Sequence, residues 1–226
     1  MGKTYFHQYI DDLDKIAKQY RVKHDLASVK VEKARQKNSQ VQNDRTSSVD
    51  KRMVSAAALR EAEREHKRDM EEIEAGAERE IKALRKGFEQ HMAEFFTAKP
   101  EKIDQAAVSL LASGVMRGSD LAALANQHAN NPTMLRLISS HARAMNEEKG
   151  NSLDDRRASA LHGCIESFCA PNDRLQLFDT AAKVVLMSVD RDEYRAGAFQ
   201  REWDGGVYSN IKAHMTRMES FVFGEG

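Results

Sequence analysis

The run His162, Cys164, Glu166 and Cys169 brings both cysteines of this chain together with an imidazole and a carboxylate. Thiolates beside an imidazole are the donor set of a zinc site, or the makings of a reactive thiol. The spacing predicts neither. Cysteines five apart on a helix point to different faces, and no second pair completes four ligands, so both are expected to be buried structural thiols. The eight histidines include no pair four residues apart that a helix would turn into a metal-binding face. His24 and His66 fall on apolar seams as semi-polar positions. His128 and His141 have no sequence neighbour that would make them acids, bases or ligands. Carboxylates cluster at Asp11, Asp12 and Asp14, at Asp154 and Asp155, and at Asp190 and Asp192. Each cluster falls in a first turn or on a polar helix face, where acids complement the helix dipole or meet water. There is no phosphate-cradling glycine loop, dinucleotide fingerprint or nucleophile elbow. The expectation is a protein that is not an enzyme and takes no metal and no cofactor.

The elements that carry these residues say more. Leu59, Met70, Ile81 and Met92 fall eleven apart, as do Ala62, Ile73, Leu84 and Phe95, with His66, Ala77 and Phe88 as a third row. Eleven residues in three turns keep a stripe on one side of a helix, drifting about 20° per repeat toward a right-handed supercoil. The stripe predicts one helix over about 55–96, roughly 60 Å long at 1.5 Å rise per residue. Gly76 and Gly87 lie inside it, each at a cost of about 1 kcal/mol relative to alanine. So long a rod must cover its apolar edge with another helix.

A second stripe precedes it with heptad spacing: Phe6, Ile10, Leu13, Ala17, Tyr20, His24, Ala27, Val31 and Ala34, then Asn38 and Val41. Between the two stripes, residues 36–50 are rich in side chains that compete for backbone hydrogen bonds, which predicts a break with Ser47 or Ser48 capping the second helix. A hairpin within one chain and pairing between chains both satisfy the pattern. The expected self-association positions are Phe6, Ile10, Leu13, Tyr20, Val31, Leu59, Met70, Ile73, Ile81, Leu84, Phe88, Met92 and Phe95.

Pro100 ends the rod, because it pushes the preceding residue out of the helical region. A helix is predicted from Pro100 to about Ser113, then one capped by Ser119 and one capped by Asn131 with Pro132 at its first position. Further helices are predicted over about 155–168 and 173–189, after a capping box at Asp190 and Glu193, and from about Val207 through Ile211, Met215, Met218 and Phe221. No stretch alternates like a half-buried strand. The predicted class is all-α: a coiled-coil arm over 1–96 with a polar break near 36–50, then a helical bundle over 97–226. Phe96, at the rod's end, and Trp203, beside Gly205 and Gly206, are the candidate partner contacts.

Lys and Arg number ten against seven Asp and Glu over residues 1–50, eleven against eleven over 51–100, and fourteen against seventeen beyond. That gradient is too mild to make nucleic acid an expected partner. No apolar run approaches the roughly 20 residues of a membrane span, so no membrane association is expected. Two cysteines in 226 residues fit a reducing compartment.

A charged coiled-coil arm joined to a small helical bundle resembles the plan of tailed-bacteriophage virion-assembly proteins, capsid scaffolding proteins among them. The segment 113–142, and especially Asn131, Pro132, Thr133, Met134, Leu135 and Arg136, resembles phage structural-cassette proteins. The resemblance implies a homo-oligomer that works with a capsid or other virion protein, in the host cytoplasm or the virion. Many scaffolding proteins end in a basic helical segment, whereas this sequence closes on Lys212 and Arg217 followed by FVFGEG.

Overall fold

The computed structural model describes residues 5–148, 152–170 and 172–219, and among them every regular element is helical. The all-α expectation holds. The order is α1 (His7–Asn43), α2 (Val49–Phe96), a 3₁₀ turn (Pro100–Lys102), α3 (Gln105–Ala112), α4 (Gly118–Gln127), α5 (Pro132–Glu148), α6 (Leu153–Cys169), α7 (Asn172–Met187), α8 (Glu193–Glu202), a π-turn (Trp203–Val207) and α9 (Tyr208–Glu219). Two compact units emerge, each assembled from separate stretches of chain: residues 9–86 with 178–211, and residues 5–8, 87–177 and 212–219.

The first of these is built on a helical hairpin. Five residues, Asp44–Ser48, reverse the chain. Asp44 accepts from the Thr46 amide at 2.9 Å, the Thr46 hydroxyl at 2.7 Å and the Ser47 hydroxyl at 2.8 Å. Those bonds hold its carboxyl at about 2, well below the usual carboxylate range. Ser48 caps α2, accepting from the Lys51 amide. The register is antiparallel: Tyr20 meets Glu80, Lys30 meets Asp69, Arg35 meets Glu63, and the Gln42 side chain reaches the Arg52 carbonyl. Heptad and hendecad seams thus face each other within one chain.

In the other unit, α4, α5 and α6 pack together on side chains at helical spacing: Leu121, Leu124 and Ala125; Met134, Leu135, Ile138 and Ala142; Ala158, Leu161, Ile165 and Phe168. Asn131 caps α5 as predicted, and Ser152 forms a capping box with Asp155 at the start of α6. α4 starts at Gly118 after Arg117, so Ser119 lies inside the helix instead of capping it, and Asp120 takes the Arg117 amide at 2.9 Å. Two further caps differ from expectation. Pro100 opens only a 3₁₀ turn, and Asp104 then caps α3 through the Ala106 and Ala107 amides. Before α8, in the hairpin's unit, the cap is Asp192 rather than Asp190, which instead takes the Asp192 amide. In both cases an Asp sits two or three residues before free amides, and that geometry outweighs the alternatives. The predicted Phe221 position and the loop residues 149–151 lie outside the described residues.

Candidate functional site: the free face of the hairpin

The seams named from the sequence are filled by the chain itself. Ile10, Leu13, Tyr20, Val31, Met70, Ile73 and Ile81 are buried in the hairpin's unit, with Leu59 and Leu84 half-buried there. Phe6, Phe88 and Met92 are buried in the other unit, with Phe95 half-buried. Phe6 makes edge contacts with Phe88 and Phe95 and stacks on Phe96. A second copy could reach the fully buried positions away from the hairpin's open face only by displacing the chain's own helices.

The two candidate partner contacts are taken up in the same way. Phe96 packs edge-on against Phe168 and is 7 % exposed. Trp203 is 1 % exposed, and its indole N–H donates to Asp14 Oδ1 at 3.0 Å. Neither leaves side-chain surface for a partner.

Several functional-looking residues prove to be fastenings. Asp14 does not meet water: besides the indole it accepts from Lys18 at 2.6 Å, while Asp11 accepts from the Tyr208 hydroxyl at 2.7 Å. These bonds set the π-turn against α1. The turn needs Gly206, whose φ of 135° is costly for any side chain. On the same side of the hairpin, Arg85 pairs with Asp179, and Arg191 with Glu71 and Glu74.

Arg174, in the other unit, is fully buried. Its guanidinium donates to the carbonyls of Phe168, Ala170 and Met218 and lies 5.1–5.8 Å from the ring centres of Phe6, Phe96 and Phe168. Burial lowers its pKa, and the three carbonyls and three ring faces are its compensation. His7 Nδ1 contacts Glu219 at 2.7 Å in that unit.

Nor does the His162–Cys169 run assemble chemistry. Cys164 is exposed, not buried as predicted, because it stands beside Ile165 on the outward face of α6; Cys169 is half-buried, and burial pushes its thiol pKa up. His162 Nδ1 lies 2.7 Å from the Ser139 hydroxyl, which also donates to Glu166 at 3.1 Å. A nucleophile relay needs the carboxylate on the imidazole, not on the hydroxyl, and Ser139 is only 1 % exposed. Among the described residues no cluster of His, Cys, Asp or Glu could hold a metal ion. No helix among them is long and apolar enough to cross a membrane.

The segment that resembles structural-cassette proteins has a local role. Asn131 Nδ2 donates to the Lys102 carbonyl at 2.7 Å, and Thr133 accepts the Lys99 amide at 2.9 Å, tying the 3₁₀ turn to the start of α5.

What remains open is the hairpin face opposite Trp203. There a groove of about 620 Å³ runs between α1 and α2. Tyr20, Ala27, Ile73 and Gly76 floor it; Lys23, Leu26 and Lys30 form one wall, and Asp69, Glu72 and Arg79 the other. Gly76 is required for this closeness, since a Cβ there would lie 2.7 Å from Tyr20 Oη. The Tyr20 hydroxyl donates to Glu80 at 2.7 Å, and burial, with that bond, raises its pKa to about 12. Beyond the groove, no side chain between Glu32 and Asp69 is fully buried. Two helices alone cannot enclose a core there. No family model matches the chain, and neither a curated protein nor a solved structure is similar to it.

Proposed function

We propose that this chain is a non-enzymatic assembly protein that associates with copies of itself through the α1–α2 hairpin and engages a larger structure, with phage capsid morphogenesis as its setting. The observation that supports it is the hairpin's distal stretch, where long amphipathic helices present half-covered apolar positions and an open groove. Such surface is commonly covered by another helical chain. The capsid setting rests on the resemblance of the arm-and-bundle plan and of the 113–142 segment. Its partners are then further copies and a capsid or other virion protein, in the host cytoplasm or the particle. Sedimentation of the full chain across a concentration series tests the reading. Mass should rise from monomer to dimer or larger species. A chain that stays monomeric to its solubility limit overturns self-assembly and favours a stoichiometric helical adaptor.

A further inference from the structure

The open face of the hairpin is not uniformly polar. Along α1, Lys23, Leu26, Lys30, Lys33 and Lys37 follow spacings of three and four and are all exposed, forming one basic edge around a single leucine. Along α2, Glu61, Glu65, Asp69 and Glu72 form an acidic edge on the same face, in which Glu61 is already paired with Arg64 and Arg68, while Arg79 closes the groove's far end. The antiparallel register set by Lys30 with Asp69 brings Lys37 level with Glu61, Lys33 with Glu65, and Leu26 with Glu72. Within the chain this opposition is barely used. Lys30 to Asp69 spans 3.8 Å, and Lys23 lies over the Tyr20 ring. Among the described residues, Lys33, Lys37, Glu65 and Glu72 make no ion pair at all. Leu26 is 62 % exposed, although it borders a groove floored by Ala27, Ile73 and Gly76.

We infer that a second copy of this chain covers this face, related by a two-fold axis running parallel to the helices. The inference rests on the self-associating role proposed above and specifies its surface. Two hairpins can meet face to face with two simple symmetries. With the axis across the helices, α1 lies over α1 and lysine row meets lysine row. With the axis along them, α1 of each copy lies over α2 of the other, and the basic edge meets the acidic edge twice. Only the second arrangement is electrostatically complementary. It also carries Leu26 of each copy to the level of Ile73 and Gly76 in the other, where the missing side chain at 76 leaves the groove deep. The product is a four-helix bundle with every neighbouring pair antiparallel, which encloses the positions that two helices leave half-covered.

The test uses the full chain. Leu26→Asp changes an exposed residue, so circular dichroism should be unchanged while the dimer dissociation constant rises at least about tenfold. Lys33→Glu with Lys37→Glu, and Glu65→Lys with Glu72→Lys, should each yield monomers alone and dimers when mixed. For orientation, Leu26→Cys and Glu72→Cys are placed in separate chains, both carrying Cys164→Ser and Cys169→Ser. Oxidation of the mixture should give the mixed disulfide in excess of either like pair. Three outcomes overturn the inference. An oligomer whose constant is unmoved by these changes leaves the assembly role standing and removes this surface. A prevailing like pair at Leu26→Cys removes the proposed symmetry. A wild-type chain that is monomeric throughout removes the assembly role together with the surface.

Discussion

Tyr20 and Gly76 act as one unit, and the sign of a substitution at either depends on the other. Intrinsic propensity favours alanine over glycine in a helix by about 1 kcal/mol. Gly76→Ala should nonetheless destabilise by about 1 kcal/mol or more, because the phenol in its path is buried and fastened to Glu80. In a Tyr20→Ala background the same change should stabilise, and urea unfolding of the four chains measures the reversal. The phenol's raised pKa makes a second prediction. A group whose folded value exceeds its unfolded value of 10.0 stabilises fully below that pH and loses the contribution as pH rises through about 12. Tyrosinate absorbance should show one residue ionising late, and Tyr20→Phe should remove that component. Arg174 is a third residue whose chemistry is structural. Arg174→Met should cost about 2–4 kcal/mol in urea unfolding, since three carbonyls lose a charged donor, and Arg174→Lys should not restore it because an ammonium lacks the flat fork.

At the scale of elements, the hairpin turn is held by a carboxylate whose folded pKa is depressed, so its contribution is present above about 3.8 and lost as pH falls through about 2. The Thr46 amide resonance should report that titration, and Asp44→Asn should flatten it. Element boundaries were legible wherever a periodic stripe met a strong punctuator, as at Asn131 with Pro132 and at Ser48 before α2, whereas the start of α6 lies two residues before the expected Asp155 because Ser152 caps it. They were less so where several acids competed to cap one helix, as at Asp190 and Asp192, because each choice satisfies the same amides by local geometry alone. The two seams were readable as helical edges, one from Phe6, Ile10 and Leu13 and the other from Leu59, Met70 and Ile81. The heptad pattern left open whether another stretch or another chain would face them, since a seam encodes what it needs covered and not by whom.

At the scale of the whole molecule, what the sequence concealed is long-range pairing. Asp14 stands next to a seam leucine inside an acidic run and reads as solvated; nothing near it announces an indole, and nothing near Trp203 announces a carboxylate. Arg174 is equally silent, an ordinary arginine in a helical stretch until Phe6, Phe96 and Phe168 converge on it. The open groove could be read only once the hairpin's register was known, because its opposed charges lie on different helices.

The Asp14–Trp203 bond joins positions 189 apart. A ribosome adding roughly 5–20 residues per second releases the indole roughly 10–40 s after the carboxylate has emerged. Throughout that interval the nascent arm carries an uncovered flank and a carboxylate awaiting its distant donor. Vectorial synthesis thus leaves this flank of the emerging arm without its intramolecular cover until the stretch around Trp203 has been translated.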